Sequence, residues 1–141
     1  MILPKGTFIA LADGEKFELY RNTGTATAPR LEPETVPDLE ATNYSAGARD
    51  KDKISRFTIG QGKDRIGKLQ ERAHAFAVVD WLNAQAIDHK LETLVILADP
   101  HSLGEMRRHY HDRLRDVLIG DFDKTLTGAS GPKILKALEA L

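Results

Sequence analysis

The chain has 141 residues, 20 Lys and Arg against 21 Asp and Glu, a formal net charge of −1 and no cysteine. That length fits a single domain (residues 1–141) with one core, and that charge supplies no domain-wide positive field to gather nucleic acid. The missing cysteines exclude disulfides, zinc–cysteine sites and iron–sulfur clusters. At 41% hydrophobic and 29% charged residues the composition is that of a globular chain. No run approaches the roughly 18 to 20 apolar residues of a membrane span, so no membrane insertion is expected. The apolar run 7–12 is stopped at once by Asp13 and Gly14 and does not read as a signal peptide. The expected location is the cytoplasm.

Residues 7–12 read as a strand. Asp13-Gly14 is a tight-turn pair, and residues 16–21 alternate, with Phe17 and Leu19 opposed to Glu18 and Tyr20. A β-hairpin follows. A third strand is expected within 30–36; Pro29 and Pro33 suit an edge position. Residues 40–65 show little apolar periodicity, carry the charge run 49–53 and the Gly60-Gln61-Gly62 triplet, and are expected to form a long, mobile loop.

Residues 66–89 show the clearest helical spacing. Ile66, Leu69, Ala73, Phe76, Ala77, Ala84 and Ile87 form the expected inner stripe, with Asp80 on it. Val78, Trp81 and Leu82 then point elsewhere and Val79 widens the surface, so a homodimer through this helix is expected to cover them. Residues 93–98 form an unbroken apolar run, the mark of an interior, parallel strand. Ser102 and Glu105 have capping-box spacing, and Leu103, Met106, Tyr110, Leu114 and Val117 read as one helix's inner face. A strand over 118–122 and a last helix opened by Ser130 and Pro132 complete the chain. The expected order is β-β-β-α-β-α-β-α: an α/β fold with a mixed sheet, in a ribonuclease-H-like layout.

Three stretches carry a resemblance. Phe8-Ile9-Ala10-Leu11-Ala12-Asp13-Gly14 leads into Phe17-Glu18-Leu19-Tyr20. Leu94-Val95-Ile96-Leu97-Ala98-Asp99-Pro100 leads into Leu103-Gly104-Glu105-Met106-Arg107. Ile119-Gly120-Asp121-Phe122-Asp123 is followed by Lys124-Thr125-Leu126. Over most of its length the chain resembles the bacterial host-attachment proteins, which have Lys-Asp-Leu where this chain has Lys124-Thr125-Leu126. Their Asp-Arg-Pro-Gly stretch has no clean counterpart here. That family is distantly related to the central domain of archaeal and eukaryotic peptide-chain release factors. The resemblance implies a ribonuclease-H-like layout, usually without nuclease activity, and a possible ribosomal association.

Three groups of residues bear on chemistry. Asp13 and Asp99 end strands expected to be neighbours and are the candidates for hydrolysis of a phosphodiester; with Asp123, which borders the last strand, they are the candidates for Mg²⁺. Arg107, Arg108, His101 and Lys124 form a candidate binding surface. The helix around them also carries His109, His111, Arg113 and Arg115, interspersed with acids at pairing distance. Gly60-Gln61-Gly62 lies among basic residues, but its order differs from the glycine-glycine-glutamine loop of release factors. No zinc-binding, phosphate-loop or serine-nucleophile motif is present. The expected function is therefore non-enzymatic binding without a bound cofactor. A metal-dependent hydrolase and a ribosome-associated or RNA-binding module are the alternatives.

Overall fold

The computed structural model describes residues 1–39 and 63–141, with side chains from Leu69 onward in the second stretch. The loop expected at 40–65, with its glycine-glutamine-glycine triplet, therefore lies almost wholly outside the described residues. Five strands are described: β1 (Phe8–Ala12), β2 (Phe17–Asn22), β3 (Leu31–Glu34), β4 (Leu94–Ala98) and β5 (Leu118–Asp123). The helices are α1 (Lys63–Ile87), α2 (Pro100–Arg107), α3 (Asp112–Val117) and α4 (Gly131–Glu139).

The sheet runs β3-β2-β1-β4-β5. β1 pairs antiparallel with β2 and parallel with β4, and β4 pairs parallel with β5. This mixed α/β arrangement is the expected fold class, and its strand order is consistent with the ribonuclease-H-like layout. β4 lies inside the sheet with every residue buried, as its unbroken apolar run requires. Pro33 sits in the edge strand β3, where its missing N–H costs no ladder bond.

Alternation along the inner strands builds two cores. Ala10, Ala12, Leu94, Ile96 and Ala98 face α1, α2 and α3. Ile9, Leu11, Val95 and Leu97 face Ile134 and Leu138 of α4. The alanines in β1 and β4 leave room for Ala75, Val78, Val79, Leu82 and Ala86 of α1 to reach the sheet.

That last group corrects the expected face of α1. Val78, Val79 and Leu82 are fully buried, whereas Phe76 and Ile87 are 48% and 46% exposed, and Ala84 and Asp80 face outward. The buried face lies about half a turn around the helix from the expected stripe, with Ala77 common to both. Both stripes satisfy the 3.6-residue period; packing against alanine-lined strands selects the one with three β-branched or leucine side chains at its centre. Trp81 stacks edge-on against Phe17 at 5.5 Å beside the same core. The residues that were to require a partner copy are thus covered within the chain, and the premise for a dimer through this helix falls.

A second correction concerns the segment after β4. It begins at Pro100, because Asp99 and not Ser102 is the cap: Asp99 Oδ2 accepts the Ser102 N–H at 3.1 Å. It is also two helices. The Asn83 amide of α1 donates to His109 O at 2.8 Å and accepts from His111 N at 3.0 Å. The ring of His111 then caps α3 by accepting from Arg113 N. A side chain from another element thus takes up the His109 carbonyl and the His111 N–H at the break. The break lets Leu114 turn into the core while β5 starts at Leu118.

Candidate functional site

The parallel register sets Ala12 opposite Ala98 and Ala98 opposite Asp123. Asp13, Asp99 and Asp123 therefore gather at one edge of the sheet, as their sequence positions suggested. Their side chains, however, are engaged in different ways. Asp13 Oδ1 accepts the N–H groups of Glu15 at 2.7 Å and Lys16 at 2.6 Å, which closes the β1–β2 turn. Asp13 Oδ2 accepts the Thr127 hydroxyl at 2.6 Å. Partial burial opposes ionisation of this carboxyl, but the Thr127 and backbone hydrogen bonds outweigh it and hold the group below the usual carboxylate range, with His74 adding a smaller attraction.

Asp99 spends Oδ2 on its helix cap, while Oδ1 is buried with no hydrogen-bond partner among the described residues. Asp123 is exposed. Among the described residues no three His, Asp or Glu side chains converge in a way that could hold a metal ion. A Mg²⁺ ion needs free carboxylate oxygens in near-octahedral reach. Asp13, with three hydrogen bonds already accepted, does not offer them, and no catalytic step through a metal is drawn from this edge.

The expected binding surface divides as well. Arg107 is a structural tie: its Nε and Nη2 donate to the two oxygens of Asp121 at 2.9 Å each. Tyr110 donates to the same carboxylate at 2.9 Å. The Arg107 bond is the largest influence holding Asp121 below its ordinary value; burial opposes it and Tyr110 assists. Tyr110 in turn is pushed well above the usual phenol range, first by burial and then by its bond to Asp121. Arg108, His101 and Lys124 are exposed, and His101 and Lys124 stand near the aspartate edge, not beside Arg108. Lys124 uses its backbone N–H to bond Ala98 O.

Sequence reasoning missed His74. It is 4% exposed, and its Nδ1 meets the Asp13 carbonyl at 2.9 Å. A carbonyl only accepts, so Nδ1 carries the proton and a neutral ring keeps Nε2 as its acceptor. His74 borders a cleft of about 320 Å³ beside the hairpin, together with Glu15, Phe17, Glu18, Asp38 and Leu39. The signal for it lay in the second stripe of α1, one turn before Val78, and was hidden by the choice of the first. Thr127 and Asn83 carried no local signal, since their partners are distant in sequence.

What emerges is a small α/β domain with a sheet covered on both faces, whose polar side chains chiefly tie loops and helix ends to the sheet. The profile of bacterial archaeo-eukaryotic release factor family 12 matches residues 6–138, and the chain belongs to that family. Comparison with curated proteins finds no match. The relation to release factors that the resemblance implied is thereby established; attachment to host cells is not part of what the match carries. Among the described residues no helix is long and apolar enough to cross a membrane.

Proposed function

We infer that this protein is a non-catalytic binding domain that associates with the ribosome through RNA, and that it works in the cytoplasm. The observation that carries the reading is membership of a release-factor family across residues 6–138. The engagement of Asp13 by Thr127 and the turn amides supports it, because that strand-end carboxylate is committed to holding loops. Exposed Arg108, just past the end of α2, and Arg113 on α3 supply contacts suited to phosphate. Host attachment, a phenotype and not a chemistry, adds no molecular partner to this reading. Self-association through α1 is not part of it. Among the described side chains of α1, the two half-exposed large apolar ones, Phe76 and Ile87, fall far short of the ~800 Å² per partner of a stable interface.

The test is co-sedimentation of the purified chain with bacterial ribosomes at graded salt. A ribosome-bound fraction that falls as salt rises is expected. Absence from the ribosomal pellet even at low salt would remove the reading. The rival, metal-dependent phosphodiester hydrolysis at Asp13 and Asp99, draws on the unpartnered Asp99 Oδ1. It requires Mg²⁺-dependent cleavage of a phosphodiester that Asp99→Asn abolishes while the fold survives.

A further inference from the structure

α1 leaves Phe76 48% exposed, with its ring perpendicular to that of His109 at 5.0 Å. A large aromatic ring standing half in water is normally withdrawn into a core or covered. Here Ala75, Val78, Val79 and Leu82 of α1 are packed into the core, and the ring is held out at a corner formed with an imidazole. The position of that corner is fixed. Asn83, two turns along from Phe76 on α1, holds the backbone of His109 and His111, and Arg107 is locked bidentately onto Asp121. The segment 107–113 is therefore presented in one geometry, not as a loose loop.

The charges around this corner sort themselves. Asp121 is taken by Arg107, Glu105 lies 3.5 Å from His109, and Asp112 lies 3.9 Å from Arg115. Arg108 and Arg113, both exposed, have no carboxylate partner among the described residues. Two exposed arginines without a carboxylate partner among the described residues thus lie on the same fixed segment as His109, one before it and one after it in the chain. An aromatic plane offers a stacking surface to any unpaired base, and arginine contacts the adjoining phosphates.

We propose that Phe76 and His109, with Arg108 and Arg113, form a contact site for a single-stranded RNA segment: a base stacks at the aromatic corner and the arginines hold its backbone. The site rests on the ribosome-binding reading and specifies where on the chain it occurs. Single-stranded RNA is favoured over duplex because a stacking surface serves only an unpaired base. Asp80 lies one turn from Phe76 on the outward face of α1 and places a negative charge beside the proposed phosphate path. It should weaken the contact, which makes the sign of its removal diagnostic.

The probe is a labelled oligouridylate of roughly ten nucleotides, titrated at low salt, alongside ribosome co-sedimentation. Phe76→Ala should weaken oligonucleotide binding by about fivefold or more, and Phe76→Trp should retain it. Arg108→Glu with Arg113→Glu should weaken it further and make the salt slope shallower by about 1.4, roughly 0.7 for each lost phosphate contact. Asp80→Asn should tighten it. Lys133→Glu with Lys136→Glu, on exposed positions of α4 across the sheet, should change little. Thermal midpoints of all variants show that the fold is kept. Equal loss in the α4 control would show diffuse charge attraction and overturn the site, as would wild-type affinity in the Phe76 and arginine variants. Ribosome binding without oligonucleotide binding would overturn the site alone, pointing to a protein contact. Binding to neither would remove both the site and the function on which it rests.

Discussion

Thr127 and Asp13, 114 positions apart, meet through a 2.6 Å hydrogen bond that ties the loop between β5 and α4 to the turn between β1 and β2. A hydroxyl donating to an ionised carboxylate forms a charge-assisted bond. Thr127→Val should cost about 1–2 kcal/mol of unfolding free energy, because the carboxylate loses a donor and the site is only partly buried. It should also let the Asp13 pKa rise toward the ordinary value. Carboxyl titration by NMR and chemical denaturation measure the two effects; an unmoved Asp13 pKa would show that Thr127 is not its chief partner in solution.

The Arg107–Asp121–Tyr110 cluster anchors the end of α2 to the edge strand β5. Because Arg107 is 53% exposed at its side chain and Asp121 is 21% exposed, solvent screens the ion pair. Asp121→Asn should therefore destabilise the fold by only about 1–2 kcal/mol, most of it from weakened hydrogen bonds. A double-mutant cycle of Arg107→Ala with Tyr110→Phe should be non-additive, since both donate to one carboxylate. Strict additivity would mean that the two bonds do not form together.

Asp13 and Asp121 both titrate below the ordinary carboxylate range in the folded state. Near pH ~4 the unfolded chain then binds more protons than the folded one. Their contribution is whole above that range and is lost as pH falls through the depressed folded values. Tyr110 gives the opposite limb. Its phenol is raised in the folded state by burial and by Asp121, so its contribution is whole below about pH 10 and is lost as pH rises beyond it. Denaturation midpoints across pH should fall at both ends, and Tyr110→Phe should flatten the alkaline limb. An alkaline limb unchanged in that variant would assign the loss to other groups.

The face of α1 is open to direct test by core substitution. Leu82→Ala removes a fully buried side chain and should cost about 2–5 kcal/mol. Ile87→Ala, at a position 46% exposed, should cost well under half of that. The reverse ranking would restore the stripe that includes Phe76 and Ile87 as the buried one.

Asn83→Ala removes both bonds to the segment between α2 and α3 and should cost about 1 kcal/mol, since the freed backbone groups can turn to water. Hydrogen exchange should accelerate at His111 and Arg113 and stay slow in β4. Unchanged exchange at His111 would mean that the helix break is set locally.

The strands were legible because their signals are local. The run before Asp99 is apolar on both faces, so it had to be an interior strand, and Asp13-Gly14 with the alternation after it had to be a hairpin. The edge placement of β3 followed from Pro33. The gathering of Asp13, Asp99 and Asp123 at one sheet edge was likewise readable, given that order of elements.

Three things needed the tertiary structure, each for a reason of range. The 3.6-residue period of α1 is met by two stripes, and only the alanine-lined surface of β1 and β4 chooses between them. The helix break at 108–111 is made by Asn83 from another helix, so nothing within the segment announces it. Whether a strand-end aspartate is free for a ligand or committed to a turn depends on donors such as Thr127, which arrive from the far end of the chain. Periodicity and turn chemistry act over a few residues and therefore belong to the sequence. The orientation of a helix and the occupation of a carboxylate are decided by partners that only folding brings within hydrogen-bond or van der Waals reach.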